Sequence, residues 1–200
     1  MLTRLKARVQ SILEGTARML HNAGLTPNHI SAVGILLALL AGLLYWAWQY
    51  NHLFLIIAPS VFLLSGLCDA LDGIVARLHG EATVFGGFLD SLLDRYADAF
   101  ILVALIVSNL CNVLWGSLAL VGSLLVSYAR ARAEATGFRM ETVGLAERAE
   151  RMLILAVGSI AAFFWLEALN WSVAVLAVLT NLTVLQRTVY VHKASRQKEG

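Results

Sequence analysis

The sequence predicts an all-α integral membrane protein: six transmembrane helices preceded by an N-terminal interfacial amphipathic helix. Three observations carry that prediction. Of the 200 residues, 59% are hydrophobic and only 14% are charged, where a soluble domain is nearer a quarter charged. The apolar residues fall in long runs. The basic residues and the tryptophans keep to opposite ends of those runs.

The elements follow in order. Residues 1–24 carry Arg4, Lys6, Arg8 and Arg18 among Leu2, Leu5, Val9, Ile12, Leu13 and Leu20. That mixture suits a helix lying on a membrane surface. Pro27 in LTPNHIS, Leu25 to Ser31, suits the first turn of the next helix, beside a polar cap. The apolar runs are then Ile30 to Tyr50, Leu53 to Leu67, Phe100 to Val107, Val113 to Val126, Met152 to Leu166 and Val173 to Leu185. Crossing a bilayer takes roughly 20 residues. Several runs reach that length only with their polar inner ends included, so one end of the bundle is expected to hold a water-accessible site. Residues 25–193 form one six-helix domain, and 194–200 are a cytoplasmic tail.

Orientation follows from charge. The outer turns are expected near Tyr50–Leu53, Asn109–Leu114 and Glu167–Trp171, and these contain no Lys or Arg. All 15 basic residues lie in the N-terminal segment, the inner loops and helix ends, or the tail, which is a positive-inside pattern. Trp46, Trp48, Trp115, Trp165 and Trp171 cluster at the outer ends as an aromatic belt. Both termini are therefore expected in the cytoplasm, and the one-sided positive charge favours membrane lipids and phosphorylated ligands. Nucleic acid is a poor fit, because no basic-aromatic platform is present. Cys68 and Cys111 fall on opposite sides, too far apart for a disulfide.

The polar end begins at CDALDGIVARLHG, Cys68 to Gly80. Asp69 and Asp72 are three apart, and Asp90 and Asp94 are four apart, so each pair shares one helical face. Asp69 lies 16 residues into the second span, about 24 Å along it, and the third span returns Asp90 and Asp94 to a similar depth. Small residues at 73, 76, 86 and 87 suggest close backbone approach. Four carboxylates in low dielectric repel one another. Arg77 and Arg95 are available, but two bases do not neutralise four acids. Two hard divalent cations do; oxygen ligands suit Mg²⁺, Mn²⁺ or Ca²⁺ and not zinc, with Mg²⁺ or Mn²⁺ expected here, and paired cations commonly clamp phosphoryl oxygens. Asp98 continues the four-residue rhythm and is expected only to orient or pair with a neighbour. Acids concentrated at one end, with no inverted repeat, argue against a cation transporter.

These residues read D-x-x-D-G-x-x-A-R, eight residues, then G-x-x-x-D-x-x-x-D. Asp69, Asp72, Gly73, Ala76, Arg77, Gly86, Asp90 and Asp94 fill every fixed position. The pattern resembles the signature of the CDP-alcohol phosphotransferases, and the resemblance covers nearly the whole chain. It implies that Asp69, Asp72, Asp90 and Asp94 bind two divalent ions, which hold the diphosphate of a CDP-lipid. It implies that Asp94 is also the general base on the acceptor hydroxyl. Gly73 would admit the nucleotide and Arg77 would face the diphosphate, with Asn28, Ser31 and Thr83 against the cytidine. The inner loop, expected from Ser127 and reading SYARARAEATGFRMETVGLAERAERMLIL, resembles the phosphatidylinositol-phosphate and archaetidylinositol-phosphate synthase branch. That implies a phosphorylated alcohol, inositol 1-phosphate, held by Arg130, Arg151 and Arg187, with Arg148 as a further candidate. Glycerol 3-phosphate is the nearest rival acceptor. Glu147 and Arg151 could instead form a helical ion pair. A homodimer is expected from the resemblance alone.

Overall fold

The computed structural model describes the backbone of residues 2–138, 140 and 143–199, and side chains between residues 12 and 196. Among the described residues there are seven α-helices and no strand: α1 (Leu2–Asn22), α2 (Pro27–Trp46), α3 (Phe54–His79), α4 (Val84–Val107), α5 (Val113–Ala135), α6 (Arg148–Ala162) and α7 (Glu167–Glu199). A single 3₁₀ turn, Trp48–Tyr50, separates α2 from α3. Four helices are long and apolar enough to cross a membrane by length and composition: α2, α3, α5 and α7. The other two expected spans fall short for different reasons. α4 has the length but carries Asp90, Asp94, Arg95 and Asp98, and α6 has only 15 residues.

Local chemistry sets the helix ends. Thr26 caps α2 in a reciprocal box with His29, and Pro27 occupies the first turn, where its missing N–H costs nothing. α3 stops at Gly80, whose φ of +68° is the left-handed conformation that glycine adopts readily. Three residues later Thr83 accepts from Gly86 N at 2.9 Å and starts α4. This short turn brings the two acidic helix faces to the same level.

α2 packs against both α3 and α4, α3 also against α6, and α5 against α7. The main core lies towards the tryptophan end and includes Tyr45, Leu55, Phe62, Ile101, Leu105 and Leu176. A smaller cluster of Ala17, Ile30, Leu71 and Val75 fastens α1 to the opposite end. On α1, Ile12 and Met19 remain 62% and 75% exposed. The side chains of Leu2, Arg4, Leu5, Lys6, Arg8 and Val9 lie outside the described residues.

Three expectations need correction. The third outer turn is at 163–166, and Glu167–Trp171 already forms the start of α7. Asn170 looked like a loop residue, but it accepts from Asn112 N at 2.8 Å and so ties α7 to the neighbouring turn. The segment from Ser127 is not loop at first, because α5 continues to Ala135. The proposed tail, 194–200, begins inside α7. Both cysteines are free, as expected.

Pro59 lies inside α3, where it cannot donate to the carbonyl four residues earlier. That carbonyl, Leu55 O, instead accepts from Ser159 Oγ of α6 at 2.7 Å. The unavoidable gap in one helix thus becomes a bond between two. Ser159 is fully buried, so Ser159→Ala is expected to cost about 1–3 kcal/mol, the desolvation of an orphaned carbonyl. Thermal unfolding of the detergent-solubilised protein reads this loss.

Candidate active site

α3 and α4 present their carboxylates towards each other, above the helix α2 on which both pack. Asp69, Asp72 and Asp90 each offer an oxygen, and the three oxygens lie within 4.8 Å of one another. An all-oxygen set at this spacing fits a hard divalent cation. Ser31 Oγ donates to Asp72 Oδ2 at 2.5 Å and orients that carboxylate. Asp94, expected as a fourth ligand, stands outside this triad, and its Oδ1 lies 2.5 Å from Arg148 Nη1.

Three spaces meet at the acids. A cavity of about 420 Å³ lies on one side, lined by Asn28, Gly73, Ala76, Arg77, Thr83 and Gly86 among others. A tight cleft lies at the centre, walled by Ser31 and by all four acids, Asp69, Asp72, Asp90 and Asp94. A third space of about 140 Å³ is lined by Arg95, Arg130, Arg148, Arg151 and Arg187 together with the acids Asp94, Asp98 and Glu147. Asp72 and Asp90 border both the first cavity and the cleft. Asp94 and Arg148 border both the cleft and the arginine cavity. The acids are thus the partition between one large space and one small, arginine-rich space.

The small residues have a different use from the one expected. α3 and α4 do not pack on each other along their length. A Cβ at Gly87 would meet nothing within 4 Å, and one at Gly73 would meet only the Arg77 guanidinium, at 3.2 Å. Their smallness opens the 420 Å³ cavity instead of bringing the two helices together. Ser31 also differs from expectation: it faces the carboxylate cleft, while Asn28 and Thr83 line the larger cavity.

The arginines are held by distinct means. Arg187, only 2% exposed, donates Nε to Val143 O at 2.8 Å and Nη1 to Val126 O at 2.6 Å. It therefore joins α7 to α5 and to the loop before α6. Thr183 Oγ1 steadies the same loop by accepting from the N–H groups of Leu145 and Ala146, each at 3.2 Å. Gly144 runs between these two anchors with φ +140°, and a Cβ there would come 2.7 Å from the Thr183 methyl. Arg151 Nη2 meets Asp98 Oδ2 at 2.6 Å, and its Nη1 donates to Ala146 O. Its acidic partner is therefore Asp98, not Glu147. Arg130 is more open and pairs with Glu134 at 2.9 Å.

The base that answers the acids comes from α6. Arg148 Nη1 lies 2.7 Å from Asp69 Oδ2, in addition to its contact with Asp94, and Nε lies 3.4 Å from Asp98 Oδ1. Of the two bases expected there, Arg95 approaches Asp94 only at 3.8 Å and also donates to its own Ser91 carbonyl. Arg77 faces the larger cavity.

The family model for CDP-alcohol phosphatidyltransferases matches residues 24–185. The chain belongs to this family. As a CDP-alcohol phosphatidyltransferase it is a membrane-integral transferase of phospholipid synthesis. Its similarity to archaetidylinositol phosphate synthase of Pyrococcus horikoshii is 36% identity over 199 residues, covering 100% of this chain and 99% of the relative. The synthase of that name in Methanothermobacter thermautotrophicus is 40% identical over 170 residues, covering 84% of this chain and 83% of the relative. The fold matches the crystal structure of Mycobacterium tuberculosis phosphatidylinositol phosphate synthase with CDP-DAG bound. The TM-score is 0.78 at 32% identity, over 90% of this chain and 94% of that one. The same synthase in complex with manganese and citrate matches equally, with 90% of this chain and 88% of that one covered.

Within this phosphatidyltransferase, sequence reasoning missed Thr183 and Gly144 and left Asp98 with no partner. Asp98 had a visible signal, the same four-residue rhythm as Asp90 and Asp94. Thr183 had none, since it sits in an apolar run and acts on a loop almost 40 residues away.

Proposed function

We propose that this phosphatidyltransferase moves the phosphatidyl-type group of a CDP-lipid, CDP-archaeol or CDP-diacylglycerol, to inositol 1-phosphate and releases CMP. The observation that carries this reading is the cavity bordering Asp94 that five arginines line, Arg95 with Arg130, Arg148, Arg151 and Arg187. A neutral alcohol needs no such charge, whereas a phosphate dianion matches guanidinium groups in geometry and sign.

The roles divide by cavity. The 420 Å³ space receives the nucleotide of the donor, with Asn28 and Thr83 at its wall, Gly73 giving room and Arg77 facing the diphosphate. Asp69, Asp72, Asp90 and Asp94 hold the divalent cations, two of Mg²⁺ or Mn²⁺, with Ser31 orienting Asp72. When bound, the cations neutralise the diphosphate and favour departure of CMP. Arg130, Arg148, Arg151 and Arg187 hold the acceptor phosphate beside Asp94. Asp94 takes the proton of the attacking hydroxyl. The hydroxyl oxygen bonds to the lipid-side phosphorus, and the bond from that phosphorus to CMP breaks, its electron pair leaving with CMP. We place both termini and the site on the cytoplasmic side of the cell membrane, and we expect a homodimer.

The test is CMP release from purified protein with Mg²⁺ and a CDP-lipid. Inositol 1-phosphate, glycerol 3-phosphate, serine and free inositol are offered separately. Release with inositol 1-phosphate alone supports the proposal. Preference for glycerol 3-phosphate keeps the cationic cavity but overturns the acceptor, and preference for serine or free inositol overturns the role of the arginines. Gly73→Val fills the nucleotide space and is expected to weaken CDP-lipid binding by about 1–3 kcal/mol, the usual range for overpacking. It is read as a raised KM for the CDP-lipid with the acceptor KM unchanged.

A further inference from the structure

Arg148 lines the carboxylate cleft and the arginine cavity together. Its Nη1 bridges Asp69 at 2.7 Å and Asp94 at 2.5 Å. A guanidinium at these distances offsets one of the two carboxylate charges, where a divalent ion would offset both, and its own positive charge disfavours a cation beside the same oxygens. Its Nε keeps a third contact, 3.4 Å to Asp98 Oδ1. Asp98 stands outside the triad of Asp69, Asp72 and Asp90 and is fixed from its other oxygen by Arg151. Arg148 therefore has a hinge point that does not depend on the cleft.

Leaving the cleft has a cost. On the cavity side Arg148 meets Arg95, Arg130, Arg151 and Arg187, five guanidiniums in all against the three lining acids Asp94, Asp98 and Glu147, with Glu134 paired to Arg130 at the rim. Arg187 is satisfied by backbone carbonyls, not by an acid. Like charges crowd there until an anion enters, so the guanidinium rests on Asp69 and Asp94 when the cavity holds none.

We propose that Arg148 is a counterion switch between the two halves of the site. Without a divalent cation it lies against Asp69 and Asp94 and offsets part of their charge. When those acids take a cation, Arg148 turns on Asp98 into the arginine cavity and completes the site for a phosphate. This rests on the reading that the acids hold a divalent cation. Its consequence is thermodynamic: cation and phosphate each favour the turned arginine, so each strengthens the other's binding, and by the same factor.

The experiment measures Mn²⁺ affinity by electron paramagnetic resonance on the full chain in detergent, without CDP-lipid, and with or without inorganic phosphate. In the wild type, phosphate is expected to tighten Mn²⁺ binding by about tenfold, within the usual span of coupling between sites. Arg148→Gln is expected to bind Mn²⁺ about tenfold tighter without phosphate and to lose the phosphate effect. Arg148→Lys keeps the charge and should hold Mn²⁺ affinity near the wild type. Arg130→Gln should leave phosphate-free affinity unchanged while reducing the phosphate effect. Equal or weaker Mn²⁺ binding in Arg148→Gln overturns the switch, as does an undiminished phosphate effect in that variant. An equal gain in Arg130→Gln also overturns it, because general cavity charge would then be the cause. Mn²⁺ binding that is insensitive to Asp90→Asn would instead overturn the cation reading of the acids on which the switch rests.

Discussion

Asp94→Asn is expected to lower CMP release by about 10²–10⁴-fold, the usual contribution of a positioned general base. The residue stands on the partition itself, bordering the carboxylate cleft and the arginine cavity. An acceptor phosphate held by the arginines would bring its hydroxyl towards this carboxylate, and towards the donor's phosphorus beyond it. The amide keeps the shape of the side chain but cannot accept a proton from an alcohol. Asp94 is not part of the triad whose oxygens lie within 4.8 Å. The variant should therefore spare the Mn²⁺ held by the triad while weakening the second, and lose turnover by more than that weakening accounts for. Rates from single turnovers, compared with Mn²⁺ titrations on the same preparation, separate the two effects. Parallel collapse of both would make Asp94 a ligand before anything else.

Asp98→Asn is expected to cost stability, by about 3–5 kcal/mol, the penalty of leaving a buried charge without its partner. The side chain is 12% exposed, against 7% for Arg151 and 18% for Arg148. One carboxylate therefore serves two guanidiniums where little water can replace it. Removing its charge leaves Arg151 with only the Ala146 carbonyl, at 3.1 Å. Thermal unfolding in detergent measures the loss. The double variant Asp98→Leu with Arg151→Met should recover part of it, because apolar residues of similar volume carry no desolvation cost. A single variant as stable as the wild type would remove Asp98 from the architecture of the cavity.

Much of this was legible before any coordinates. The spacing of Asp69, Asp72, Asp90 and Asp94 put four acids on two facing helix surfaces, because helical periodicity is local. Pro27 and the cap beside it marked the start of α2 for the same reason. The helix counted as the third span was harder. Its acids spoil its apolar character, and the same residues that reveal the site weaken the signal for the span. What stayed hidden depends on long separations. Nothing near Asp69 indicates that Arg148 will be its counterion, since the two are 79 positions apart in the chain and only the packing of α6 on α3 joins them. The small residues misled because a glycine leaves space, and periodicity does not tell whether another helix or a ligand fills it. Ser159 was silent as well. Its role exists only because Pro59 withholds an N–H on a different helix.

α6 has consequences beyond its role as a carrier of arginines. At 15 residues it is about 22 Å long, against a hydrocarbon layer of roughly 30 Å. If α6 crosses as the sequence predicts, its N-terminal end would lie below the level at which the neighbouring helices emerge, taking Arg148 and Arg151 with it. With the site placed as we propose, the reaction chamber would be a notch cut into the thickness of one leaflet. A lipid can slide into such a notch sideways with its chains still immersed, and only the small water-soluble reactant has to descend. A bilayer that thickens would deepen the notch and lengthen that descent, which makes membrane thickness itself a variable to which turnover should respond.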